Sequence, residues 1–162
     1  MTETILKMQK KVKRYLDKDR YDHTIGVMHT AGCLAMRYGA NLEQALTAGL
    51  LHDCAKCVPA DEKIKLCEKN HIEISDAEYK NPGLLHAKLG AFFAREKYGI
   101  ENEEILRSIE SHTTGRPNMS LLDKIIYIAD YIEPGRDVAP NLPEVRALAS
   151  VSYTHLRAHE TS

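Results

Sequence analysis

Apolar residues recur at steps of three and four positions along nearly the whole chain, and this spacing limits the fold more than any other feature. It places the apolar side chains of each segment on one face of an α-helix. No segment shows the strict alternation or the short turns that are typical of paired strands. Residues 70–83 are predicted to form a polar loop with a turn at Asn81-Pro82-Gly83. We therefore predict an all-α helical bundle, with helices over residues 3–17, 22–38, 41–53, 60–69, 84–98, 101–112 and 119–132.

Cap and turn residues divide these helices. Asp22 and Asn41 are suited to be N-caps, because a short polar side chain can accept a hydrogen bond from a free backbone N–H. Gly39 and Gly99 stand where a residue in the left-handed conformation commonly ends a helix. Pro59 is suited to the start of the next helix, where its missing N–H costs nothing.

The bulk composition is that of an ordinary globular chain. Its 162 residues are enough for one domain with a core, 43% of them are hydrophobic, and the formal net charge is −1. A net charge near zero is not typical of a nucleic-acid-binding protein, which carries an excess of Lys and Arg. No apolar run is long enough to cross a bilayer. The N-terminus mixes charged with apolar residues and lacks the apolar core of a signal peptide. We therefore expect a cytoplasmic protein without a nucleic-acid or membrane partner.

The four cysteines do not predict a disulfide framework or a zinc site. Cys54 and Cys57 form a C-x-x-C pair, but its redox interpretation requires a strand–helix setting that the pattern lacks. A structural zinc site needs a second pair, and Cys33 and Cys67 are not spaced as one. We interpret all four as small, partly buried residues.

The final stretch SVSYTHLRAHETS, residues 150–162, breaks the helical pattern that begins with LPEVRALA. This stretch resembles translated adapter or vector sequence joined to a truncated reading frame. We therefore predict one functional domain over residues 1–149 and a non-native tail after it. We assign no role to His155 and His159, although a metal site can use their four-residue spacing.

Histidines and aspartates stand near the inward faces of five helices, close to the helix ends. They are His23, His52, Asp53, His86, His112 and Asp130. A carboxylate beside buried apolar residues, as in LLHD at positions 50–53, is costly unless it is paired. His29 lies off the apolar face of its helix and His71 in a polar loop, so we expect both on the surface.

Each of these residues alone has an ordinary structural explanation. A single buried histidine is more often a satisfied core residue than a ligand, and Asp130 can pair with Arg136 or Lys124. The complete set favours another explanation, because imidazoles and carboxylates together form a hard, mixed N/O site. Such a site suits Fe²⁺, Mn²⁺, Mg²⁺ or Zn²⁺.

Four stretches carry these residues: RYDHTIGV (20–27), AGLLHDCAK (48–56), LLHAKLGA (84–91) and SIESHTTGRPNMSLLDKIIYIADYIEPGR (108–136). In this order they resemble the HD superfamily of metal-dependent phosphohydrolases, and within it the bacterial YqeK-like symmetrical hydrolases of diadenosine tetraphosphate. HD by itself is a two-letter motif, whereas the ordered set that ends in HTTG and ADYIEPGR is specific. The resemblance covers roughly residues 5–149 and implies an HD-domain helical bundle.

The resemblance also implies a set of site residues. A divalent metal of the iron type is held by His23, His52, Asp53 and Asp130. Catalytic roles fall to Asp53, Lys56, His86 and His112. The nucleotide and its phosphates lie along Arg20, His23, Asp53, Lys56, His86, His112, Thr113, Asp130 and Arg136. In the family a further helix and a segment over the nucleotide follow position 149, and here the unusual final residues stand in their place.

The implied reaction is attack of a metal-activated water on an inner phosphate, which cleaves a small dinucleoside polyphosphate into two ADP. The family further implies a homodimer. Three alternatives are hydrolysis of another nucleotide by the same chemistry, a non-catalytic nucleotide-binding or RNA-associated module, and a purely structural bundle. The last leaves Asp53 and Asp130 without a stated partner.

Overall fold

The computed structural model describes residues 1–151, and over that range its regular elements are all helices, which confirms the all-α prediction. The helices are α1 (Glu3–Val12), α2 (Lys18–Tyr38), α3 (Leu42–Leu51), α4 (Ala60–Lys69), α5 (Asp76–Lys80), α6 (Leu85–Tyr98), α7 (Glu103–Glu110), α8 (Leu121–Ile132) and α9 (Leu142–Val151). A 3₁₀ turn, Pro82–Leu84, precedes α6.

Local hydrogen bonds define where most helices begin and end. The N-cap side chain accepts a hydrogen bond from the backbone N–H three residues ahead at Thr2, Asp17, Asn41, Ser75, Asn102 and Ser120. The predicted cap at Asn41 is therefore confirmed. Gly39 and Gly99 end α2 and α6 with φ of 74° and 69°, a conformation that glycine adopts without steric cost.

The predicted start of α2 at Asp22 is wrong. Asp17 is the N-cap and accepts from the Arg20 N–H, so the helix begins at Lys18. Asp22 lies one turn inside the helix, where its carboxylate pairs with Lys18 Nζ at 2.6 Å. The first turn of α2 is almost entirely polar, so the apolar pattern begins one turn after the helix does.

Other predicted boundaries also move. α1 ends at Val12 rather than at residue 17, and α7 is shorter at both ends than the predicted 101–112. The predicted polar loop over 70–83 contains the short helix α5. Ser75 and Glu78 form a capping box at its start, a signal that was present in the sequence as S-x-x-E.

Close packing of α3 on α2 brings the first functional residues together. A Cβ at Gly49 would lie 2.9 Å from Met28 Cα and 3.3 Å from Ala31 Cβ, so only glycine allows this approach. α2 and α3 both pack on α8, α3 also packs on α7, and α7 packs on α6. The buried interior between them includes Val27, Met28, Ala31, Leu50, Leu51, Ile109, Ile125 and Ile126.

The last described helix, α9, packs on α8 and α2. It extends two residues into the stretch 150–162 that we predicted to be a non-native tail, and residues 152–162 lie outside the described part of the chain. Within the described residues, no helix combines the length and the apolar character that a bilayer-spanning segment requires.

Candidate metal centre

Six side chains from five helices and their ends meet in one buried cluster. His23 projects from the first half of α2, His86 from the start of α6 and Asp130 from the last turn of α8. His52 and Asp53 follow α3, and His112 follows α7. His52, Asp53, His86 and His112 are all buried. The structure thus brings together every residue that the sequence placed at an inward helix end.

Backbone carbonyls orient three of the four histidine rings. His52 Nδ1 lies 2.7 Å from the Gly49 carbonyl, His86 Nδ1 lies 2.6 Å from that of Gly83, and His112 Nδ1 lies 2.7 Å from that of Ile109. A carbonyl oxygen only accepts, so in each ring Nδ1 carries the proton and donates it. Each neutral ring therefore presents the lone pair of Nε2 to the cluster, as a metal ligand does.

His23 is held between two carboxylates instead. Its Nδ1 lies 3.0 Å from Glu133 Oε1, and its Nε2 lies 3.0 Å from Asp130 Oδ1. His23 Nε2 is also 3.9 Å from Asp53 Oδ2, so this ring nitrogen faces the same centre as the other three.

The inner face of the cluster has more acceptors than donors. His86 Nε2 and His112 Nε2 lie 3.2 Å apart, and each is within 3.4 Å of Asp53 Oδ1. His52 Nε2 lies 3.4 Å from Asp53 Oδ2 and 3.6 Å from Asp130 Oδ1, yet this fully buried atom has no hydrogen-bond partner. Lone pairs that face one another at these distances are costly without a proton or a cation between them.

The donor set fits a divalent metal. Ligand atoms of His23, His52 and Asp130 lie within 4.8 Å of one another, and so do those of His52, Asp53 and His112. Imidazole nitrogens with carboxylate oxygens suit Fe²⁺, Mn²⁺, Mg²⁺ or Zn²⁺ rather than a soft thiolate metal. The orphaned Nε2 of His52 belongs to both groups, so a cation bound there satisfies it.

The pKa values of the metal-free cluster indicate a positive charge on His52, at the place where a metal cation would bind. Burial disfavours a charged His52, but Asp53 and Asp130 outweigh burial and raise the pKa of His52 to about 10. Burial alone would raise the pKa of Asp53, but the neighbouring His52 holds it well below its ordinary value. In the metal-free protein the two carboxylates therefore favour a second proton on His52, at the Nε2 atom that faces them, and a bound metal would take the place of that proton.

Three further predicted residues contact the cluster, and one does not. Arg20 Nη1 donates to Asp53 Oδ2 at 2.8 Å, and Arg136 Nη2 lies 3.3 Å from Asp130 Oδ1. Thr113 Oγ1 lies 3.3 Å and 3.2 Å from the Nε2 atoms of His86 and His112. The half-buried Lys56 side chain makes no hydrogen bond or ion pair with the described residues, although it follows Asp53 by only three positions.

The sequence left open which cation pairs with Asp130, and in the structure Asp130 pairs with Arg136.

His29 and His71 are exposed, as expected. All four cysteines are free, with Cys54 and Cys67 buried and Cys33 and Cys57 exposed. The prediction of partial burial is therefore wrong for Cys33 and Cys57, whose side chains project outward.

Glu133 is a residue of the site that the sequence did not identify. It is buried at 3% exposure, directly follows α8 and contacts His23. A carboxylate between an apolar helix and a Pro-Gly turn was the available signal, in YIEPG, but nothing in the sequence pointed to a partner 110 positions away.

A model of the HD domain family matches residues 20–135. With the helical fold and the His/Asp cluster, this match defines the class of protein: the chain belongs to the HD-domain family. Membership of this family implies a divalent metal, which the cluster can hold.

Two relatives identify the group within the HD-domain family to which the chain belongs. The chain is 48% identical over 138 residues to "Bis(5'-nucleosyl)-tetraphosphatase, symmetrical" of Halalkalibacterium halodurans, covering 85% of this chain and 73% of that one. The protein of the same name from Bacillus subtilis is 44% identical over the same shares. The chain therefore belongs with the symmetrical bis(5'-nucleosyl)-tetraphosphatases, and the family resemblance is confirmed.

A solved structure supports the fold. The crystal structure of a "predicted HD superfamily hydrolase involved in NAD metabolism" from Clostridium acetobutylicum matches with a TM-score of 0.88 and 44% identity. The match covers 95% of this chain and 81% of that chain. The predicted HD-domain bundle is thereby confirmed.

Proposed function

We propose that this protein hydrolyses diadenosine tetraphosphate symmetrically, so that each molecule of substrate gives two ADP. The relatives that carry this activity in their names are 44–48% identical over 85% of the chain. The observation that carries the proposal is the convergence of four histidine Nε2 atoms on Asp53 and Asp130, with three rings each oriented by the backbone carbonyl three residues earlier.

His23, His52, Asp53 and Asp130 would hold the metal, which we propose is iron. A divalent metal supplies hydroxide near neutral pH by lowering the pKa of its bound water. The support for this ligand set is the short distances between its atoms and the hard character of its donors. The support for iron is the family resemblance.

Cationic side chains at the rim of the cluster would bind the phosphates. Arg20 and Arg136 each pair with a cluster carboxylate and are about one-third exposed, so their guanidinium groups can turn toward a substrate. Guanidinium binds phosphate oxygens in a bidentate manner. We propose the same role for Lys56, whose ammonium group is uncommitted among the described residues.

His86, His112 and Thr113 form the other polar wall. Because the two Nε2 atoms are 3.2 Å apart, one proton can be shared between them. We propose that the pair accepts the proton released by the attacking water and passes it to the leaving ADP as its P–O bond breaks, while the Thr113 hydroxyl, 3.2 Å from His112 Nε2, donates to a phosphate oxygen. Phosphoryl transfer needs this positioning and charge neutralisation more than covalent catalysis.

The first test is metal content and turnover of the wild type and of Asp53→Asn. This substitution keeps the size of the side chain but removes the charge that faces three histidines. We expect loss of the metal and at least a ~100-fold fall in turnover, since loss of a supporting contact alone costs about 10–100-fold. Asp61→Asn on the exposed surface of α4 is the control and should change neither.

Chromatography of the products tests the position of cleavage. ADP as the sole product supports the proposal, whereas AMP with ATP contradicts symmetrical cleavage. Turnover of a cyclic or deoxynucleotide in place of diadenosine tetraphosphate would establish the alternative nucleotide substrate.

We also propose a cytoplasmic location, which suits a nucleotide substrate, and a homodimer, which the family resemblance suggests. Light scattering of the purified protein tests the dimer directly, and a monomer mass would contradict it.

A further inference from the structure

Glu133 is a buried carboxylate that contacts His23 on the ring edge opposite the cluster. Its Oε1 lies 3.0 Å from His23 Nδ1, while His23 Nε2 faces Asp130. Its Oε2 accepts a hydrogen bond from the Gly135 N–H at 2.8 Å. Both oxygens of one side chain are therefore committed, one to the histidine and one to the backbone.

Two glycines leave the space that this carboxylate occupies. A Cβ at Gly26, on α2, would lie 2.4 Å from Glu133 Oε2. A Cβ at Gly135 would lie 3.1 Å from Oε1. Gly26 lies in the interior of a helix, where alanine is ordinarily favoured, so the space explains its presence there.

The backbone that carries Glu133 is held from α9. Arg146 donates to the carbonyls of Ile132, Glu133 and Arg136 at 3.1, 2.9 and 2.9 Å. The carboxylate is thus fixed at both ends, by its own oxygens and by its main chain.

His23 needs this contact because Asp130 favours the wrong tautomer. The carboxylate of Asp130, 3.0 Å from Nε2, attracts the ring proton to Nε2 and would remove the lone pair that a metal requires. His52, His86 and His112 avoid this problem because a carbonyl three residues earlier accepts from Nδ1. For His23, a carboxylate 110 positions away takes the place of that carbonyl.

We propose that Glu133 is a positioning residue that keeps the ring proton of His23 on Nδ1, so that Nε2 is free to bind the metal. The inference rests on the metal-dependent function proposed above. Glu133 thus sets the orientation and tautomer of one ligand although it lies outside the ligand set.

The main test is Glu133→Gln, which keeps the shape of the side chain. An amide has one acceptor oxygen, whereas His23 Nδ1–H and Gly135 N–H are two donors. One of them is then left unpaired or faces the amide NH₂. Asp137→Asn is the matched control, because it removes the same charge from an exposed position four residues further along.

Two readouts apply to the full-length chain without substrate. Zn²⁺ is the probe, with affinity measured by competition against a chromophoric chelator. In the Zn²⁺-loaded protein, ¹⁵N NMR of the histidine rings reports which nitrogen of His23 carries the proton. We expect Glu133→Gln to weaken Zn²⁺ binding about 10–100-fold and to place the His23 proton on Nε2 in part of the population. Asp137→Asn should stay within about 2-fold of the wild type.

A second variant keeps the carboxylate but displaces it. Gly26→Ala puts a methyl group where Glu133 Oε2 lies, and alanine is the better helix former, so α2 itself is not weakened. We expect the same loss of affinity. If Glu133→Gln does not fold, as judged by circular dichroism, Gly26→Ala decides the question.

Wild-type affinity and an unchanged His23 tautomer in Glu133→Gln, or in Gly26→Ala where only that variant folds, would overturn the proposal. So would a wild type that binds no Zn²⁺. A protein that binds Zn²⁺ with the expected differences but does not hydrolyse diadenosine tetraphosphate leaves Glu133 in its role and refutes the proposed function instead.

Discussion

At the scale of single residues, the site depends on how each histidine ring is turned. In His52, His86 and His112 a hydrogen bond to a carbonyl three residues earlier fixes the ring, and this contact is a product of local helix geometry. A histidine at one of these helix ends therefore directs its Nε2 inward through a local contact alone. These three residues could be predicted from sequence for that reason.

The raised pKa of His52 predicts how pH acts on the metal-free protein. The pKa of His52 rises from 6.5 to about 10 on folding, so its contribution to stability is complete below pH 6.5 and is lost as pH rises to about 10. The lowered pKa values of Asp53 and Asp130 act at the acid end of the pH range, where the contribution of these carboxylates to stability is lost as they take up protons. Urea unfolding of metal-free protein should therefore show falling stability between pH 6.5 and pH 10.

Metal binding should show the opposite trend over that range. A ligand nitrogen must be deprotonated, so metal affinity should rise as His52 loses its proton. His52→Asn is the control for the unfolding measurement: in this variant the stability of the metal-free protein should fall less between pH 6.5 and pH 10. A stability of the metal-free wild type that does not change from pH 6.5 to pH 10 would contradict this assignment.

At the scale of elements, the contact between α2 and α3 sets the distance from His23 to His52. Gly49 and Gly32 both lie in this contact, but a Cβ at Gly49 would meet the Met28 backbone at 2.9 Å, whereas one at Gly32 would meet the Leu46 side-chain end at 2.8 Å. A side-chain end can move, and a helix backbone cannot move without shifting the helix.

This difference gives a matched pair of variants. Gly49→Ala should destabilise the protein by about 1–3 kcal/mol in urea unfolding and weaken metal binding, because α3 must move away from α2. Gly32→Ala should lie near the wild type, because the gain from alanine in a helix, about 0.5–1 kcal/mol, offsets the small shift of Leu46. Equal effects of the two substitutions would show that the helix contact does not position the site.

At the scale of the whole molecule, the cluster exists only because distant segments meet. His23 and Asp130 are 107 positions apart in the sequence, yet His23 Nε2 lies 3.0 Å from Asp130 Oδ1 because α2 packs on α8. α9 adds a further connection, since Arg146 binds three carbonyls of the turn that follows α8.

Arg146→Lys tests that connection while keeping the charge. Lysine cannot reproduce the fork that reaches three carbonyls, so we expect a loss of about 1–3 kcal/mol in urea unfolding together with weaker Zn²⁺ binding. The exposed Arg107→Lys is the comparison and should have little effect on either. Unchanged Zn²⁺ affinity in Arg146→Lys would mean that the turn holds Glu133 without α9.

The sequence by itself determined the helical class, several helix ends and the six His and Asp residues of the cluster, because periodicity and caps are local properties. Where local signals were weak, as in the polar first turn of α2, the prediction was wrong. Only the tertiary structure decided that Arg20 contacts Asp53, that Lys56 makes no hydrogen bond or ion pair with the described cluster residues, and that Glu133 lies behind His23. The last contact depends on space left by Gly26 on another helix, and no local pattern encodes a space between distant segments.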